Sequence, residues 1–278
     1  MEMAKTKLIL LSFLSICLCS CAQMYRWEAT SMDGSRTGCT ATTADNVAEA
    51  VGKMNEDGSY VSPSGNVYAK ESATAKTASI VIKAQPKMAE VKKVIATSDE
   101  YMPNGGKENR LSNWFVNIVM DKVSSMSGKK VDVGICNFGG IRSAMPQGDV
   151  TLDDIKSMFP FKNYLVYLEL PGRELKNIVE KMAAGSFQAL CGAEVVVSDK
   201  KVESFLIGGK PVEDDKLYSV ATISFLLHGG DGLSLADNAV NIINYDVMIM
   251  DAVLERIYAL SAEGKSIKGS DVRYVTIK

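Results

Sequence analysis

Histidine is almost absent from this chain of 278 residues: His228 is the only one. That count excludes histidine-rich metal sites and the two-metal hydrolase centres that several imidazoles build. Cysteine is scarce too. Beyond Cys17, Cys19 and Cys21 there remain only Cys39, Cys136 and Cys191. Their wide spacing matches neither a disulfide framework nor a zinc motif. Cys136 ends an apolar run and reads as a small buried hydrophobe, with a Cys136–Cys191 bridge left open. A surplus of either charge is lacking, since the formal net charge is −2. There is neither a basic stripe for nucleic acid nor an acidic tail. The one long apolar run, Leu8 to Leu18, is too short to span a membrane.

That run follows two lysines and ends in Leu18-Cys19-Ser20-Cys21. Residues 1–21 therefore read as a secretion signal closed by a bacterial lipobox. Lipidated Cys21 would then be the mature N-terminus and tether the chain to a membrane, periplasmic or at the cell surface. An ordinary signal peptide cut nearby is the other reading. Residues 22–85 are polar and loosely patterned: a tether and N-terminal extension, with a short helix over 42–51 and strands at 65–69 and 78–82.

From residue 86 to residue 278 the pattern sharpens into one domain. Met88 to Ile95 has helical spacing. Leu111, Trp114, Phe115, Ile118, Val119 and Val123 recur every three to four residues, which makes an amphipathic helix that Gly128 stops. Val131 to Cys136 reads as a buried strand. Thr151 caps a short helix with Asp154 three residues on, and that helix must stop at Pro160. Strands are expected at 164–170, 193–197, 202–206, 218–223, 240–243 and 272–277. Helices are expected from Pro171 onward and over 246–260. Strands and helices interleave without a strict βαβ rhythm, so the fold class is α/β of the mixed kind: a mixed sheet with helices packed on it.

Three loops lie at element boundaries, where binding groups concentrate. They are Asn137-Phe138-Gly139-Gly140-Ile141-Arg142, Phe159-Pro160-Phe161-Lys162-Asn163 and Phe225-Leu226-Leu227-His228-Gly229-Gly230-Asp231-Gly232. Phe161 and Phe225 stand outside regular elements and can hold a flat heterocycle by stacking. Asn137 can serve a base edge. Asp231 can accept from ribose hydroxyls, and Arg142 can meet phosphate or ribose oxygens with its planar fork. Gly139 and Gly140 let backbone approach a ligand closely. Phe159 is expected in the core, and His228 as a loop residue rather than a catalyst.

The order and spacing of these loops, with Glu108-Asn109-Arg110-Leu111-Ser112-Asn113 before them, resemble the C-terminal, substrate-binding domain of the 5′-nucleotidases, a family that includes an ecto-enzyme and periplasmic UDP-sugar hydrolases. The resemblance covers about Met88 to Lys278. It implies that Phe161 and Phe225 stack the base, Asn137 touches it, Asp231 holds the ribose hydroxyls, and Arg142 serves the ribose or phosphate. Two departures stand out. The family has an arginine where this chain has Lys107, which keeps the charge and loses the bidentate fork. The metallophosphoesterase half, which holds two metal ions, has no counterpart: residues 22–85 are too few to form it and contain no histidine.

The expectation is an exported nucleotide- or nucleoside-binding component of extracytoplasmic nucleotide hydrolysis, without a catalytic residue or cofactor of its own. A divalent metal would come with a separate metallophosphoesterase subunit. The alternatives are a non-catalytic surface nucleoside- or nucleotide-binding lipoprotein, and a scaffold that keeps only an interaction surface.

Overall fold

A computed structural model describes residues 50–105 and 108–278. The signal segment with Cys21, most of the 42–51 helix expectation, and Lys107 lie outside the described residues.

Three two-residue strands open the described chain: β1 (Lys53–Met54), β2 (Tyr60–Val61) and β3 (Val67–Tyr68), paired antiparallel in that order. Helix α1 (Ala73–Met88) follows, with the Ser72 side chain accepting from Ala75 N–H as its N-cap. Two sequence expectations fail here. Residues 78–82 lie within α1 rather than in a strand. Helical spacing over Met88–Ile95 yields no helix, because α1 ends at Met88 and β4 (Val94–Ser98) pairs antiparallel with β6 (Gly148–Thr151). The β-branched run was captured by an alanine-rich capped helix, and β4 was fixed by a partner more than fifty residues away. Helix α1 also carries Pro86, so it runs across the expected domain boundary.

Helix α2 (Arg110–Ser127) is the amphipathic helix expected from the pattern. Asn109 and Ser112 form its capping box and Gly128, at φ 68°, ends it. Its apolar face, Leu111, Phe115, Val116, Val119 and Val123 among others, is buried on the main sheet. That sheet has the order β13-β7-β12-β5-β8. The strands are β5 (Val133–Cys136), β7 (Tyr164–Pro171), β8 (Ala189–Cys191), β12 (Leu217–Ile223) and β13 (Asn241–Met248). Only β12 and β5 run parallel. The sheet is mixed, as expected.

A second sheet has the order β11-β10-β9-β14, from β9 (Ala193–Ser198), β10 (Lys201–Ile207), β11 (Lys210–Pro211) and β14 (Val275–Ile277). Helix α3 (Leu152–Met158) carries the predicted Thr151–Asp154 capping box. Helix α4 (Gly172–Ala184) packs on β10 and the main sheet, and α5 (Ile249–Ala262) on α2. Helix α5 starts three residues later than expected, because 246–248 extend β13, where Met248 pairs with Tyr164. Strands β4, β6 and β8 have no clear signature in the sequence; each is short and exists through its partner.

Cys136 and Cys191 are free and buried, and burial pushes both thiols up. Cys136 is therefore an inert core residue, as expected of a small buried hydrophobe at the end of an apolar run.

One electrostatic tie carries a pH prediction. Glu100 accepts from Gly269 N–H at 3.0 Å and from Arg110 at 2.8 Å. The Gly269 bond first, then the guanidinium, hold its carboxyl below the ordinary range. A depressed folded value gives stability that is full above the unfolded pKa and lost as pH falls through the folded one. The stability gap between wild type and Glu100→Gln should therefore narrow below about pH 5 in urea titrations. A constant gap down to acid pH would refute this.

Candidate nucleotide-binding site

The topology brings the three loops to one end of the strands. The first leaves the carboxyl end of β5 and the third leaves the carboxyl end of β12, its parallel neighbour. The second enters β7, which runs antiparallel to β12 with Leu165 opposite Ile223. Start of β7, end of β12 and end of β5 thus coincide. A fourth segment joins them: β8 is antiparallel to β5, Ala189 faces Cys136, and so Ser186-Phe187-Gln188 lies beside Asn137 and Phe138.

Specific bonds tie these loops, and the residues that border them, to one another. Asn137 Nδ2 donates to Asp231 Oδ2 at 2.9 Å, first loop to third. Tyr164 N–H donates to Ser224 Oγ at 3.1 Å, joining the residue after the second loop to the residue before the third. Arg142 N–H donates to Met158 O at 2.9 Å, at the helix end just before the second loop, and its guanidinium lies 5.8 Å from the Phe161 ring centre, first loop to second. Gln188 Oε1 accepts from Phe138 N–H at 3.2 Å and pins the first loop from the β8 side. Gln188 carried no signal in the sequence; only the β5–β8 register reveals it.

Phe161 is 49% exposed and Phe225 43%. Large aromatic surface left open at the mouth of a site is available for a ligand. Phe159, one residue before Pro160, is buried with its ring 4.8 Å from that of Phe115, as expected of a core residue. Asp231 is exposed at φ 48°, a left-handed conformation, with Gly229 two residues before it and Gly232 directly after it also at positive φ. Such a conformation costs an ordinary residue about 1–2 kcal/mol, and the Asn137 bond helps to hold it. Together Phe138, Gly139, Ser186, Gln188 and Asp231 line a pocket of about 320 Å³. His228 is exposed in the same loop.

Asn137 sits lower than the sequence suggests. It is buried, its amide nitrogen is committed to Asp231, and its Oδ1 is buried with no hydrogen-bond partner among the described residues. A Cβ on Gly140 would lie 2.8 Å from that oxygen. Gly140→Ala should therefore tilt the Asn137 amide and release Asp231. We expect at least about tenfold weaker binding of any ligand held at Asp231, with the melting temperature shifted by only a few degrees. Unchanged binding would refute the coupling. Arg142 donates to Gly139 O at 3.2 Å and has no carboxylate partner among the described residues, so its charge is open to an anion.

Glu108 and Asn113 do a different job. Glu108 accepts from Asn113 Nδ2 at 3.0 Å, Tyr274 N–H at 2.6 Å and Val275 N–H at 2.9 Å, and Asn113 also donates to Val272 O at 2.8 Å. The pair clamps the last strand beside the first loop. Among the described residues no three His, Cys, Asp or Glu side chains are grouped to hold a metal ion, and no helix is long and apolar enough to cross a membrane.

The family model for the 5′-nucleotidase C-terminal domain matches residues 87–238, which include all three loops. The chain belongs to this family. It is 30% identical over 146 residues to protein UshA of Salmonella pullorum, covering 50% of this chain and 26% of that protein. It is 32% identical over 115 residues to a 5′-nucleotidase of Vibrio vulnificus, covering 40% and 21%. Among solved structures, the 5′-nucleotidase precursor of Thermus thermophilus superposes with a TM-score of 0.64 at 20% identity, over 81% of this chain and 48% of that one. Haemophilus influenzae NAD nucleotidase follows with a TM-score of 0.55 at 15% identity, over 79% and 47%. These two likenesses concern the fold alone. The Thermus match covers more of the chain than residues 87–278 make up, so it reaches ahead of residue 87. The chain spans about a quarter of the curated relatives and half of the solved ones.

Proposed function

We propose that this member of the 5′-nucleotidase C-terminal family binds a nucleoside 5′-phosphate or nucleoside where its three loops meet at one end of the main sheet. The base stacks on Phe161 and Phe225, and Asp231 takes the ribose hydroxyls. Arg142 faces the ribose or phosphate, with Lys107 as a further cation. Gly139 gives the ligand room, and Asn137 and Gly140 set the position of Asp231. The observation that carries this reading is the convergence of two half-exposed phenylalanines and one exposed aspartate at a single end of the sheet, locked by side-chain bonds. A fold that needed these rings for its core would have buried them, as it buries Phe159.

In this proposal the chain is exported, anchored through lipidated Cys21, and works with a separate metallophosphoesterase subunit. That subunit supplies the divalent metal. This chain supplies orientation and binding energy for phosphoester hydrolysis. Calorimetric titration of the protein with adenosine and AMP tests the binding half. Adding the metallophosphoesterase and assaying phosphate release from AMP tests the other half. Binding without any gain in hydrolysis would leave a surface nucleoside- or nucleotide-binding lipoprotein. No binding of either ligand would overturn the nucleotide reading.

A further inference from the structure

A second cleft, of about 420 Å³, opens next to the first pocket. Phe138, Ser186 and Gln188 line both, so the two lie side by side with these residues between them. The second cleft is lined besides by Glu108, Phe187, Arg273 and Ile277. Arg273 lies outside the stretch matched by the family model and outside every loop that the sequence singled out.

We propose that this cleft is a phosphoryl-binding subsite for the nucleotide and that Arg273 is its cation. Arg273 is exposed, and among the described residues no hydrogen bond, ion pair or ring contact engages its side chain. Its backbone, by contrast, is held on both sides. Val272 O accepts from Asn113, and Tyr274 N–H donates to Glu108. The fold therefore fixes the backbone that carries an exposed, unengaged guanidinium at the lining of the second cleft. The carboxylates nearby are already engaged: Glu108 by three donors, Asp231 by Asn137. A planar fork suits a phosphoryl group better than the ammonium of Lys107, next to Glu108 in sequence. Arg273 thus offers from the last strand the bidentate geometry that lysine lacks. A ligand with its ribose at Asp231 reaches Arg273 by extending past Phe138 and Gln188.

This inference rests on the nucleoside reading, and its test separates the two. The full chain and its Arg273→Ala and Arg273→Lys variants are titrated by calorimetry with adenosine, adenosine 5′-phosphate, adenosine 3′-phosphate and inorganic phosphate. Adenosine should bind all three proteins equally. One of the two monophosphates should bind Arg273→Ala about 10- to 100-fold more weakly than wild type and Arg273→Lys in between, and which one identifies the position of the phosphoryl group. Inorganic phosphate should follow the same order more weakly. Monophosphates that bind Arg273→Ala as they bind wild type would overturn the subsite. So would an equal loss for adenosine, which would assign Arg273 to the fold. Adenosine failing against wild type, while phosphate binding still depends on Arg273, would overturn the nucleoside reading and leave the subsite standing.

Discussion

Alanine at both Phe161 and Phe225 should abolish measurable nucleoside binding while the fold survives. Stacking of a base on an aromatic side chain is worth about 1–3 kcal/mol, so losing two faces weakens binding from roughly 30-fold to more than about 10,000-fold. The single variants should each fall about 5- to 100-fold. Stability should change little, because both rings are nearly half exposed and contribute little buried area to the core. Calorimetry with adenosine reads the loss, and thermal unfolding by circular dichroism supplies the control. Phe161→Ala has one further consequence. Arg142 lies over that ring, so its removal frees the guanidinium, and a phosphorylated ligand should lose less than adenosine does. A double variant that still binds adenosine at wild-type strength would refute the stacking role.

The second large effect is on folding. Gly192 joins β8 to β9 at φ +84°, and a Cβ there would lie 2.2 Å from Asp132 O and 2.8 Å from Met120 Cε. The carbonyl belongs to the backbone that leads into β5, so it cannot swing aside without moving that strand. Gly192→Ala should cost about 1–2 kcal/mol for the left-handed conformation and about 1–3 kcal/mol for overpacking. For a domain of this size the melting temperature should drop by roughly 5–20 °C. Gly208 is the control. It sits in the β10–β11 turn at φ +58° with nothing within 4 Å of its Cβ position, so Gly208→Ala should show the conformational part alone. Because Asp132 precedes the strand that ends at Asn137, surviving Gly192→Ala protein should also bind nucleoside poorly. Equal melting temperatures for the two variants would show that the close approach costs nothing.

Much of the local structure was legible because its causes are local. The spacing of Leu111, Phe115, Ile118 and Val119, the capping pair Thr151 and Asp154, and Gly128 as a stop each act within a few residues. The elements they specify formed where expected. Expectations failed where a distant partner decided. The β-branched residues 78–82 joined the helix that Ser72 caps. Val94–Ser98 became a strand only because Gly148–Thr151 pairs with it. Residues 246–248 stayed extended as part of the strand that β7 pairs, with Met248 opposite Tyr164, and so delayed α5.

The site divides in the same way. The sequence by itself determined which residues could recognise a nucleotide, because aromatic faces, a carboxylate, an amide and a guanidinium are properties of side chains. Motif order also sufficed to indicate the family. Only the tertiary structure decided how these groups serve. The parallel β12–β5 pair and the antiparallel β7 and β8 bring four separate segments to one end of the sheet. They commit Asn137 to Asp231, set Gln188 under Phe138, lay Arg142 over Phe161 and turn Glu108 and Asn113 into a clamp on the last strand. Strand register fixes such contacts, and register depends on pairing across the whole fold. For the same reason Arg273, more than forty residues beyond the last motif, becomes a neighbour of the first one.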